Sequence, residues 1–179
     1  MKGLVTGIAA AAVAFVVATS VSAHVFTIHG DWRMGSFAVK RDGTLGGAID
    51  AFGQPKSRSR DGVACTVRWP RHGLRIGFYN LGGENPCSRE FGFFSNARAK
   101  GRHWETNRGL AIGDRQYRLR DLYPNARFHS GEESVFPPSW WLVTRRSQVG
   151  TGGRYPGLLA ITRDRRVVQF QVRFPAGGD

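Results

Sequence analysis

The chain has 179 residues, 41% of them hydrophobic and 12% aromatic with five Trp, which is ample for a packed core and excludes an intrinsically disordered chain. Its formal net charge is +13; four of the 26 basic residues are Lys, leaving 22 Arg, a balance that permits binding to anionic partners. No tail or block concentrates the charge: residues 24–105 hold 13 basic and 7 acidic side chains, and residues 106–179 hold 12 and 6.

The first 23 residues read as a secretory signal peptide. Lys2 supplies a positive start, Leu4 to Val17 is an apolar run, and Val21-Ser22-Ala23 fits the small-x-small rule for signal peptidase. The apolar run is shorter than the roughly 20 residues that a spanning helix needs. Cleavage leaves 179 − 23 = 156 residues beginning at His24, and no Cys follows the site to carry a lipid. No later stretch is long and apolar enough for a transmembrane helix. Export makes the expected partners an extracytoplasmic protein or an anionic envelope polymer, not nucleic acid. The two cysteines, Cys65 and Cys87, then read as a disulfide, because an even count in an exported chain favours one.

Along the rest of the chain one unit is written twice, at an offset of about 71 residues. In the first copy Trp32 leads to Phe37-Ala38-Val39 and Asp42-Gly43-Thr44. Thr44 can cap a helix whose Leu45, Ala48, Ile49 and Phe52 share one face, and Gly53 and Pro55 end it. Strands follow at Cys65–Trp69 and Leu74–Phe78 around a Pro70–Gly73 turn, and Phe93–Ala97 is a weaker strand. In the second copy Trp104 leads to Gly109-Leu110-Ala111-Ile112. Asp114 can cap a helix whose Leu119, Leu122, Tyr123 and Ala126 share a face. Strands follow at Trp140–Thr144, Leu158–Thr162 and Val167–Phe174, with a turn at Asp164-Arg165. The expected fold class is α+β, as two tandem units of a short helical segment packed on an antiparallel β-meander. The expected organisation is 1–23 signal peptide, 24–101 first α+β unit with the disulfide, and 102–179 second α+β unit.

The run Gly109-Leu110-Ala111-Ile112-Gly113-Asp114, a short helix ending in Leu122-Tyr123-Pro124-Asn125-Ala126, the Trp141-Leu142-Val143 strand and the final hairpin through Arg166-Val167 resemble uncharacterised secreted bacterial proteins. Their helix–meander unit is similar to the β-lactamase-inhibitor-protein-like fold, also seen in small outer-membrane-assembly lipoproteins. This chain departs from those lipoproteins in lacking the lipidated Cys. The resemblance implies protein binding through an aromatic concave sheet, including an inhibitor-like mode.

Catalytic constellations are not recognisable. The five His make no zinc spacing, and no G-x-S-x-G elbow or phosphate loop occurs. Glu132 and Asp164 are carboxylates that only a fold can bring together, and the His129–Glu133 segment reads as a polar loop. A terminal His24 can chelate copper through its amine and imidazole, with His29 or His72 adding a third nitrogen. Nothing else in the chain resembles a copper protein, so no catalytic residue, metal or cofactor is assigned.

The candidate binding residues are aromatic or lie in a long loop. Neighbours in a strand point to opposite faces, so one of Trp140 and Trp141 should enter the core and the other face outward. Trp69 is the counterpart in the first copy. The second-copy hairpin loop, Arg145 to Gly157, carries Arg145, Arg146, Arg154 and Tyr155 and is longer than its four-residue first-copy equivalent. Arg68, Arg75, Arg163 and Arg173 are strand positions that can flank such a surface. The expected function is a secreted, non-enzymatic binding protein that recognises a protein or an anionic envelope component through an aromatic, Arg-rich sheet face and loops. The alternative is an envelope-associated hydrolase whose residues meet only in three dimensions.

Overall fold

The computed structural model describes residues 25–40, 43–131, 137–146 and 153–174. The expected signal peptide at 1–23, His24, Glu132 and Glu133 lie outside these residues. In chain order the elements are β1 (Phe26–His29), β2 (Arg33–Met34), β3 (Phe37–Ala38), α1 (Leu45–Phe52), β4 (Ser57–Asp61), β5 (Ala64–Trp69), β6 (Leu74–Tyr79) and β7 (Phe93–Ala99). Then come β8 (Trp104–Thr106), α2 (Gln116–Leu122), β9 (Arg127–His129), β10 (Ser139–Arg146), β11 (Arg154–Arg163) and β12 (Arg166–Arg173).

The structure is an α+β mixture dominated by strands. An eight-stranded sheet runs β4-β5-β6-β7-β12-β11-β10-β9, and every neighbouring pair is antiparallel. A smaller sheet of four strands runs β3-β2-β1-β8, with β1 and β8 parallel. Among the described residues no helix is long and apolar enough to cross a membrane.

Helix α1 forms where the spacing predicts it. Thr44 Oγ1 accepts from the Gly47 amide at 3.2 Å, and Leu45, Ala48, Ile49 and Phe52 are buried on one face. Gly53 ends the helix at φ 75, where a side chain would be strained. Helix α2 starts later than Asp114 predicts, because the segment before it is tied to β12. Gly113 donates to the Val167 carbonyl and Val167 to that of Asp114, at 2.8 and 2.9 Å. Asp114 Oδ2 therefore accepts from the Ala111 amide at 2.9 Å, and Arg115 takes the cap position without a side-chain bond.

Strand alternation sets the faces of the large sheet. Cys65, Val67 and Trp69 on β5, Leu74, Ile76 and Phe78 on β6, and Phe94, Ala97 and Ala99 on β7 are all buried. The pairings carry this apolar face on to Phe170 and Val172, then Leu158 and Ala160, then Trp140. Both helices and the small sheet lie against it. Phe37 of β3 meets Phe52 and Phe94 at 6.1 and 5.9 Å, Phe52 meets Trp69 at 6.0 Å, and Arg120 of α2 lies over the Trp140 ring at 5.7 Å. One continuous apolar cluster draws on residues before and after position 101.

Cys65 and Cys87 form a disulfide with their Cα atoms 5.2 Å apart. It ties β5 to the long β6–β7 connection and should stabilise by about 3 kcal/mol through loop closure in the unfolded chain.

Candidate functional site

The face of β5, β6 and β7 turned away from the helices carries three cross-strand rows. The first is Ala64, Tyr79 and Phe93, where the two aromatic rings are 6.4 Å apart. The second is Thr66, Gly77 and Asn96. The third is Arg68, Arg75 and Arg98, each paired directly with the next across adjacent strands. All three arginines are exposed, and none forms an ion pair among the described residues. Directly opposed residues have Cβ atoms about 5 Å apart, and like charges in that position are destabilising.

Arg173 adds to the crowding on the same face, in register with Asn96. Burial, and then the neighbouring charge of Arg98, push its guanidinium pKa down from the ordinary value. At the far end of the face the aromatic row continues into exposed apolar side chains. Phe93 is 51% exposed and Leu81 79%, with Val63 and Phe91 beside them. Asn80 organises this end: its amide donates to the Val63 carbonyl at 2.9 Å and its Nδ2 to that of Phe91 at 2.7 Å. The surface is thus apolar at one end and cationic at the other, about 13 Å apart along the strands.

The structure distributes the sequence-predicted residues unevenly. Trp69 is 3% exposed, lies under α1 and donates from Nε1 to the Gly53 carbonyl at 2.8 Å. It is a core residue and not part of an exposed binding surface. Trp140 is 8% exposed and also belongs to the core, packed on Phe128. Trp141 is the outward member of the pair, stacked on His129 at 3.7 Å between ring centroids.

The long loop is also shorter than expected, because β10 and β11 extend into it. Arg145 pairs with Tyr155 and Arg146 with Arg154 as strand residues. Arg145 makes a bidentate ion pair with Asp31, at 2.7 Å for each bond, and so fastens the small sheet to the large one. That hydrogen bonding, and then the charge of Asp31, raise the Arg145 pKa. Arg154 donates to Thr144 Oγ1 at 3.3 Å. Arg163 pairs with Arg166 at the far tip of the β11–β12 hairpin, away from the arginine row. The sequence pattern does not mark Arg98, Tyr79 and Phe93 as members of this surface. Arg98 escapes because Phe93-Phe94-Ser95-Asn96-Ala97 breaks strict alternation; a register shift lies between Gly77 and Phe78 in the β6–β7 pairing.

His72 and His29, the expected third nitrogens of a copper site, each have one ring nitrogen in a protein contact. His72 Nε2 lies 3.1 Å from the Phe52 carbonyl, and His29 Nε2 lies 3.0 Å from Arg33 Nη2. Burial, and then the Arg33 charge, lower the His29 pKa from 6.5. No protein-family model matches the chain, and neither a curated protein nor a solved structure shows detectable similarity to it.

Proposed function

We propose that this is a non-enzymatic binding protein of the cell exterior whose β5–β6–β7 face holds an acidic surface of a partner protein. The observation that carries the reading is the Arg68–Arg75–Arg98 row: three like charges directly opposed, with no ion-pair partner among the described residues. A carboxylate-bearing surface laid across the row replaces repulsion with charge-assisted hydrogen bonds. The exposed Phe93, Leu81, Val63 and Phe91 favour a protein over a purely anionic polymer, because a polymer engages the charges and leaves the apolar end uncovered.

The cell exterior is supported by the signal-like leader and by the Cys65–Cys87 bond, since disulfides persist in oxidising compartments. Chain order supports two tandem units, 24–101 and 102–179. Helix α1 precedes the β4–β7 meander, helix α2 precedes the β9–β12 meander, and the two meet at the β7–β12 seam. On this reading each unit keeps the helix-then-meander order expected of a β-lactamase-inhibitor-protein-like unit.

Affinity capture from envelope and culture fractions tests the function. The bait is the wild-type protein, an Arg68→Gln/Arg75→Gln/Arg98→Gln variant and a Phe93→Ser variant. An acidic protein retained by wild type and lost with both variants supports the proposal. A polysaccharide retained by wild type and Phe93→Ser alike selects the polymer reading. Identical recovery with all three baits refutes both.

A further inference from the structure

The turn between β11 and β12 places arginine where glycine is usual. Asp164 and Arg165 sit at φ 50 and 56, so both central residues of this two-residue turn are left-handed. Asn-Gly and Asp-Gly are the favoured pairs for that geometry, because a Cβ at positive φ is strained. The turn is clasped to the start of α2: Gln116 donates to the Arg165 carbonyl at 2.8 Å, and Arg115 bridges Arg166. Arg115, Arg120, Arg165 and Arg166 thereby line one cleft of about 580 Å³, with Gln116 and Tyr117.

Asp164 is the single carboxylate lining the cleft against four guanidinium groups, and none of the five forms an ion pair among the described residues. Two of the arginines are braced. Arg166 Nη1 donates to the Gly113 carbonyl at 2.9 Å, and Arg120 lies over Trp140. Guanidinium forks match phosphate oxygens two at a time, and a net charge of about +3 suits a diphosphate rather than a lone carboxylate. The cleft exceeds a single phosphate in size, and Tyr117, 64% exposed, stands in its lining beside any group the phosphates carry. The cleft shares no residue with the arginine row.

We infer that this cleft binds a compound bearing two closely spaced phosphate groups, and that the strained Arg165 turn is kept because it aims a guanidinium into the site. Titration calorimetry with pyrophosphate tests this. Saturable binding by wild type is expected. Arg165→Gly should weaken it about tenfold or more, the loss of one charge-assisted contact, while raising the melting temperature because glycine relieves the turn. Arg115→Gln should weaken binding without that rise. Phosphatidylcholine vesicles with and without a few per cent of a polyprenyl diphosphate distinguish the sources. Capture only by the vesicles that carry the diphosphate lipid, displaced by pyrophosphate, assigns a lipid headgroup; pyrophosphate binding without vesicle capture assigns a soluble phosphorylated ligand. Absence of saturable binding overturns the inference. So does an affinity unchanged in both variants, or one lost instead in Arg75→Gln, whose failure concerns the other face.

Discussion

Neutralising the middle of the arginine row should stabilise the free protein. Arg75 is opposed directly by Arg68 on one side and Arg98 on the other, so Arg75→Gln removes two like-charge pairs at once. Each such pair costs a few tenths to about 1 kcal/mol, and exposure to solvent places the sum at about 0.5–1 kcal/mol. For a chain of this size that is a rise of ~1–4 °C in melting temperature. Gln retains part of the apolar stem and stays compatible with a strand. The gain should be largest at low ionic strength and vanish near 1 M salt, where the Debye length falls to about 3 Å. Adding Arg68→Gln to Arg75→Gln should contribute little more, because its opposed neighbour is already gone. Thermal melts of the two variants and wild type at low and high salt make the measurement. A loss of stability, or a gain that ignores salt, would refute the repulsion on which the proposed anionic partner rests.

Other perturbations probe the scaffold. Reducing the disulfide, or replacing both Cys65 and Cys87 by Ala, should lower stability by about 3 kcal/mol, or ~6–12 °C in melting temperature, in a reduced-versus-oxidised thermal scan. Asp31→Asn should cost about 1–2 kcal/mol in urea denaturation by removing the carboxylate that Arg145 grips, and Gly157→Ala should cost a similar amount because a Cβ there meets the Asp31 carboxylate. Trp140→Ala should cost ~3–5 kcal/mol and Trp141→Ala much less, since only Trp140 belongs to the apolar cluster; Trp140→Phe should be milder because the buried indole N–H has no hydrogen-bond partner among the described residues. The lowered pKa of His29 gives a pH signature. Above about 6.5 the imidazole is neutral in both states; as pH falls, the unfolded chain takes the proton first and stability is lost down through the folded-state value. Melting temperatures between pH 5 and 8 should fall more steeply for wild type than for His29→Gln, and parallel profiles would exclude His29 as the source.

Legibility followed burial. Helix α1 and strands β5 and β6 announce themselves because a regular apolar face coincides with clear boundary residues, Thr44, Gly53, Pro70 and Gly73. Strand β4 is invisible to such a pattern: Ser57 to Asp61 are all exposed, and the strand exists because β5 offers it a free edge. The small sheet is hidden for another reason. Strands β2 and β3 have two residues each and β8 has three, too short for any alternation, and the β1–β8 pairing joins residues far apart in the chain. The tryptophans show the limit of local reasoning. Alternation separates Trp140 from Trp141, but which of them faces the core depends on where the helices lie.

Charge was the least legible property, and for a geometric reason. Basic and acidic residues are spread evenly along the chain, which argues against a dedicated polyanion-binding groove when the sequence is taken window by window. Folding segregates them. Asp31, Asp50 and Asp114 pair with Arg145, Arg89 and Arg118 at loops and helix ends. The three-row open face of β5–β7 contains no acidic residue at all. Arg68, Arg75 and Arg98 stand 7 and 23 residues apart in sequence, yet the antiparallel register stacks them side by side. A one-residue slip of any of the three strands would send its arginine into the core, so the same apolar alternation that packs Val67, Ile76 and Ala97 inward holds the arginines outward in a row. The hydrophobic pattern thus fixes the register, and the register concentrates a charge that the linear sequence disperses.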